Sequence, residues 1–240
     1  MKNKQNIWGL IALLVFFVNV SVAQLPNTLP KNEFGLTVIQ YTADYFTSVQ
    51  ADSSKKMVAL RNYINPLFTN FKYATSNNFT HKTLYKNPHV YLRLAATKAL
   101  QLVVIALKLK GLGLLIYDAY RPYGVTKLMW QIVPDDRYAA NPAIGSGHNR
   151  GIAIDLTLVD LKTGKPLAMP TSFDDFTEKS HHNYMDLDSI ILKNRTLLKS
   201  VMEQNGFIAL DTEWWHYYLP NSYKYELLDF DFKQLKKLVR

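Results

Sequence analysis

Six histidines, nineteen acidic residues and no cysteine set the kind of chemistry this chain can support. Without a thiol there is no cysteine nucleophile, no Cys-ligated zinc and no iron–sulfur cluster, so any metal must be held by histidine and carboxylate. Most single histidines are surface or core residues with a satisfied hydrogen bond. Two of the six have neighbours that say more.

In Ser146-Gly-His148-Asn-Arg-Gly151-Ile-Ala153-Ile-Asp155, His148 lies in a glycine-bounded loop and Asp155 follows inside an apolar strand. A carboxylate among Ile, Ala and Leu needs a partner, because burying an unpaired charge is costly; a metal ion is one such partner. The five fixed positions of Ser-x-His-x-x-Gly-x-Ala-x-Asp arise by chance in a chain of this length on the order of once in ten thousand, at average residue usage. The second stretch is Asp211-Thr-Glu213-Trp-Trp-His216-Tyr-Tyr. The two tryptophans suit an aromatic strand packed into the core. Glu213 and His216 suit chemistry better: two histidines and one carboxylate bind zinc tetrahedrally with one position left for water, and a separate, non-ligating Glu serves as general base. A third element, Tyr117-Asp118-Ala-Tyr-Arg121-Pro122, closes an apolar run. Its guanidinium suits an ion pair with Asp118 and equally an oxyanion-stabilising role; composition does not choose between them.

The elements that must position these residues are legible in outline. Pro88 to Lys110 carries a broad helical apolar face, with Pro88 suited to the first turn and Gly111 to the stop. Leu112 to Tyr117 and Ile152 to Val159 read as buried strands. Val125 to Val133 reads as a short helix ended by Pro134, and Ser189 to Asn205 as a helix closed by Gly206. Phe207 to Leu210 and Trp215 to Leu219 are strand-like. Helices around a few short strands, without regular alternation, predict an α+β fold: a single compact domain with a small, mainly antiparallel sheet flanked by helices.

The chain of 240 residues is 48% hydrophobic and 20% charged, with a formal net charge of +9. That excludes disordered, collagen-like and disulfide-scaffold classes. Its first segment has lysines at positions 2 and 4, an apolar run from Ile7 to Val20, and then Ser21-Val-Ala23. This is a secretory signal pattern, and its apolar run is too short to span a bilayer. The expected organisation is a signal peptide over 1–23, an N-terminal extension over 24–60 and a catalytic domain over 61–240. The product would be exported, periplasmic or secreted, with no stable membrane insertion after cleavage. The lysines are scattered except at the tail after Lys233, with no aromatic–basic stacking signature, so nucleic acid is not an expected partner. Attraction of the tail for anionic envelope polymers is the simpler reading. Oligomeric state is not legible.

These residues resemble the zinc D-alanyl-D-alanine dipeptidases of the VanX type, within the D-Ala-D-Ala metallopeptidases. The matching stretches are Tyr73-Ala-Thr-Ser-Asn-Asn-Phe-Thr80, Leu114 to Pro122, Ser146 to Leu158, Ser172-Phe-Asp174 through Ser180-His-His182, and Glu213-Trp-Trp-His216-Tyr. They occur in family order from about Lys72 to Leu219. The resemblance implies the hedgehog-like fold of that group and one Zn²⁺ per chain, held by His148, Asp155 and His216. It implies Glu213 as the base and Arg121 as the group that holds the scissile carbonyl and its developing charge. Tyr73, Asp118, Ser146 and Asp174 fall at positions that shape the small substrate pocket, whereas His181 and His182 are expected to be structural. The implied reaction is hydrolysis of D-alanyl-D-alanine to two D-alanines, in cell-wall peptide turnover. Two alternatives accompany it: a D,D- or L,D-carboxypeptidase trimming peptidoglycan stems, and an inactive zinc-containing wall-binding module.

Overall fold

The computed structural model describes residues 31–239. The signal-peptide expectation over 1–23 lies outside the described residues. In chain order the elements are β1 (Val38–Ile39), α1 (Thr42–Ala51), β2 (Met57–Ala59), β3 (Phe68–Thr69), β4 (Tyr91–Arg93), α2 (Leu94–Lys108), β5 (Leu112–Asp118), α3 (Tyr123–Ile132), β6 (Ala153–Asp160), α4 (Ser189–Gln204), β7 (Ile208–Ala209), β8 (His216–Tyr218), β9 (Leu227–Leu228) and α5 (Phe232–Leu238). The central sheet runs β3-β5-β6-β8-β7. Only its β3–β5 edge pair is parallel. The α+β architecture with a mainly antiparallel sheet is therefore as expected.

Strand β6 is the axis of the molecule. Its residues from Ala153 to Val159 are all buried, as its apolar run requires of a strand covered on both faces. Helix α2 turns Ala96, Leu100, Val103, Val104 and Leu107 inward, the spacing that puts side chains on one helical face. α4 adds Leu198, Val201 and Met202 to the same core. Each such side chain, fully buried, contributes about 1.5–3 kcal/mol from water exclusion. Asp188 caps α4 by accepting from the Ile190 amide, and Asp231 with Gln234 forms a reciprocal capping box at α5. Among the described residues no helix is long and apolar enough to cross a membrane.

One expectation fails. The helix predicted from Pro88 begins only at Leu94, because Tyr91–Arg93 is extended and pairs antiparallel with Met57–Ala59. Both Tyr91 and Leu92 are buried on that strand; tertiary pairing overrides a local helical pattern. Ile39, Tyr45, Met57 and Leu60, from the segment before residue 61, belong to the same core as the sheet.

Candidate active site

Three neighbouring strands align the chemistry in one row. Asp155 on β6 is paired with His216 on β8 and, on its other side, with Asp118 at the end of β5. A register shift between Ile116 and Asp118 re-aims the β5 end at this row, a common use of strand irregularities beside active sites. His148 arrives from the loop before β6. That loop closes through Gly151, whose φ of 69° belongs to the left-handed region and whose missing Cβ would meet Met57 Sδ at 2.8 Å.

His148 Nδ1–H donates to the Ala119 carbonyl at 2.6 Å, which orients the ring so that Nε2 faces the row. Nε2 lies 3.2 Å from His216 Nδ1 and 3.4 Å from Asp155 Oδ2, and His216 Nδ1 lies 2.8 Å from Asp155 Oδ1. Zinc bonds of about 2.0–2.1 Å in a tetrahedron require donors about 3.3–3.4 Å apart. Two imidazole nitrogens and a carboxylate already close to that spacing fit one zinc ion, and these three are the group found among the described residues that could hold a metal. Burial alone would raise the Asp155 carboxyl; the charges and hydrogen bonds of His148 and His216 outweigh it and hold Asp155 well below the usual carboxylate range. His216 moves the opposite way: burial lowers it, but Asp155 raises it further.

The trio opens on a cleft of about 510 Å³ lined also by Tyr73, Arg121, Ser146, Asp174 and Glu213, with Tyr138, Phe176 and Trp215 as aromatic walls. Burial pushes Glu213 up to about 7; His216 and Arg121 oppose the rise and Asp155 adds to it. A carboxyl with that value sits where a general base works at neutral pH. Tyr73 donates its hydroxyl to Asp174 Oδ1 at 3.0 Å, while Asp174 Oδ2 is buried without a partner among the described residues. Burial raises Asp174 to about 8, more than the Tyr73 hydrogen bond lowers it, and its φ of 64° puts it in the left-handed region that aspartate tolerates better than most. Ser146 Oγ accepts from the His148 amide at 3.1 Å.

Arg121 spends Nε and Nη2 on Asp118 Oδ2, at 3.1 and 2.8 Å, and its guanidinium carbon lies 5.2 Å from the Tyr73 ring centre. Nη1 is not among the atoms these two bonds use, and a guanidinium carries five N–H donors, so donors remain for a ligand. Asp118 is not on the cleft wall. It is buried behind Arg121, receives the Tyr85 hydroxyl at 3.1 Å, and acts on the cleft through the arginine. Asp175 is turned away and accepts from the Thr177 amide. His181 and His182 are also outside the cleft: the His182 amide ties to the Asp211 carbonyl, and burial with nearby Lys199 and Arg195 lowers its ring to about 4, leaving it neutral. Trp214 and Trp215 are 1% exposed, as the core reading required, though Trp215 also walls the cleft.

Sequence reasoning missed Asn149. It is fully buried; its amide donates to the Arg121 carbonyl at 2.9 Å and to Thr126 Oγ1 at 2.8 Å, and its carbonyl accepts from the Ser146 amide at 3.0 Å. One side chain thus binds the His148 loop to the Arg121 turn. The signal was its place inside the motif at an unspecified position.

A family profile described as D-ala-D-ala dipeptidase matches residues 53–234. The chain is 40% identical over 157 residues to the D-alanyl-D-alanine dipeptidase of Escherichia coli, covering 65% of this chain and 81% of that protein. It is 35% identical over 179 residues to the Enterococcus faecalis protein of the same name, covering 63% and 88%, and 36% identical over 173 residues to that of Streptomyces coelicolor, covering 63% and 85%. The profile spans the His148 loop, the β5–β6–β8 row and the cleft walls together, and the chain belongs to the D-Ala-D-Ala dipeptidase family of metallopeptidases.

Proposed function

We propose that the chain hydrolyses D-alanyl-D-alanine to two D-alanines, using one Zn²⁺ held by His148, Asp155 and His216. The observation that carries this reading is the convergence of those three donors with Glu213 and Arg121 on one small cleft. When bound, zinc supplies Lewis acidity toward the attacking water and the scissile carbonyl. Glu213, a carboxyl poised near neutrality, takes the proton of the attacking water and hands it to the departing amine. Arg121 Nη1 donates to the carbonyl oxygen as its negative charge grows, the other two guanidinium donors being locked by Asp118 so that the hand does not swing away. Asp174 Oδ2, lacking a partner, receives the free ammonium of the dipeptide, with Tyr73 holding the other carboxyl oxygen. Ser146 lines the cleft beside the His148 loop.

A cleft of about 510 Å³ lies within the roughly 300–1,000 Å³ usual for small-molecule sites and suits a dipeptide. The signal pattern of the first 23 residues supports export, and with it turnover of dipeptide released from cell-wall peptides rather than destruction of a cytoplasmic pool. The purified chain should release D-alanine from D-Ala-D-Ala and lose that activity to a chelator. D-alanine release from a stem pentapeptide, with the dipeptide left intact, would overturn the reading in favour of a carboxypeptidase. Zinc retention with no turnover of either substrate would overturn it in favour of a wall-binding module.

A further inference from the structure

A second cavity of about 800 Å³ lies between the loop 84–89, the start of α3 and helix α5. Its floor is Tyr85, Pro88, Pro122 and Phe232, and its rim carries Lys86, His89, Lys233 and Lys236. His89 also walls an adjoining cavity of about 140 Å³ together with Arg61. Lys233 and Lys236 are three residues apart on α5, so they stand on one helical face. Among the described residues none of Arg61, Lys86, Lys233 and Lys236 forms an ion pair. The acid in the lining, Asp231, is spent on the α5 cap, where it accepts from the Gln234 amide. Burial first, then Arg61 and Lys236, lower the His89 ring.

The lining narrows the ligand. None of the large exposed hydrophobic residues lies in this groove, so it offers nothing to insert into a bilayer. Its tyrosine and phenylalanine, Tyr85 and Phe232, are buried, so neither ring stands free to stack on a nucleic-acid base. Unpaired cations spread along a space larger than the catalytic cleft fit several anionic groups in succession better than a single ion, and lysine binds phosphate as a point charge. We propose that this groove binds a linear polyanion carrying repeated phosphate groups, without bases, at a site separate from the catalytic cleft.

The test is equilibrium binding of two fluorescent probes, inorganic polyphosphate and poly(glycerol phosphate), to the wild-type chain and to two triple variants of equal net charge. The first is Lys86→Glu, Lys233→Glu, Lys236→Glu; the second is Lys98→Glu, Lys162→Glu, Lys165→Glu, on exposed positions outside the groove. The groove variant should lose about tenfold or more in affinity, the control variant about twofold or less, and binding should weaken as salt rises. Dipeptidase kcat/KM should be unchanged in both, which also reports that they fold. Preference for one probe identifies whether free polyphosphate or a polymer phosphodiester is the source. No saturable binding of either probe to the wild type, or equal loss in the two variants, overturns the proposal.

Discussion

Replacing Glu213 with Gln should abolish turnover and stabilise the metal-free protein in the same stroke. The side chain keeps its shape, but the group that moves the proton is gone; general-base catalysis contributes about 100- to 10,000-fold, so kcat should fall by about that factor. Because Glu213 is outside the His148–Asp155–His216 donor set, zinc stoichiometry should be unchanged. The stability effect follows from the raised carboxyl. Its ordinary value of 4.5 rises to about 7 in the fold, so ionising Glu213 inside the metal-free protein costs on the order of 3 kcal/mol. That cost is absent below pH 4.5, where the group is neutral folded or unfolded, grows as pH rises toward 7, and is complete above 7. Thermal unfolding in excess chelator should therefore give nearly equal midpoints for wild type and variant at pH 4.5. At pH 8 the variant should be higher by several degrees, at roughly 2–4 °C per kcal/mol for a chain of this size. Wild-type kcat in the variant sinks the base assignment, and a midpoint difference that does not change with pH sinks the burial argument.

Three further outcomes follow from other contacts. His216→Ala removes one of three donors and should leave the protein without tightly held zinc after dialysis, read by metal analysis; one equivalent retained would refute the ligand assignment. Asn149→Ala breaks three buried hydrogen bonds, one within the His148 loop and two that tie that loop to the Arg121 carbonyl and to Thr126 on α3, at about 1 kcal/mol each, and should lower the denaturation free energy by on the order of 3 kcal/mol while reducing kcat; unchanged stability counts against its role as a tie. Asp174→Asn should raise KM for the unblocked dipeptide by about 10- to 100-fold, the worth of about 1.5–3 kcal/mol for a hydrogen bond to a charged group, with kcat changed far less. An unchanged KM shows that Asp174 does not hold the ammonium.

The candidate donors His148 and Asp155 were legible because the chain has no cysteine and one motif fixes their distance along a loop and a strand, and the full set of three came with the family resemblance. His216 was harder, since what brings it to Asp155 is a register between β6 and β8 across 61 residues, and register is a property of two strands rather than of either alone. The same holds for β4. Residues 88–93 carry a helical pattern of their own, and Tyr91–Arg93 is extended because Met57–Ala59 offers a partner. Asp118 was legible as a member of the site but not as a residue behind Arg121. The difference lies in which way the strand end turns after the register shift at Ile116. Asn149 offered only its place inside the motif as a signal, because two of its three partners come from positions 121 and 126 and no local spacing points to them.

Four carboxyls crowd this end of the sheet, and their environments separate their tasks. Desolvation acts on all of them, and alone it would leave each a neutral acid unfit to hold a cation. Both imidazoles are directed at Asp155, and Asp155 alone falls well below the usual range, which suits it to the proposed role of anionic ligand. Arg121 is committed to Asp118, yet burial still leaves that carboxyl raised. The pair thus serves to fix the guanidinium rather than to keep a free anion. For Glu213 the help of His216, Arg121 and a hydrogen bond from Trp215 does not offset burial, and it stays near 7, where it can both take and release a proton. Asp174, with a single tyrosine hydroxyl, stays near 8 until an ammonium supplies the missing partner for Oδ2. Environments that drive like groups apart in this way support the proposed base and ligand roles. Here the sorting depends on where two histidines and one arginine point, which is decided by the register of β5, β6 and β8.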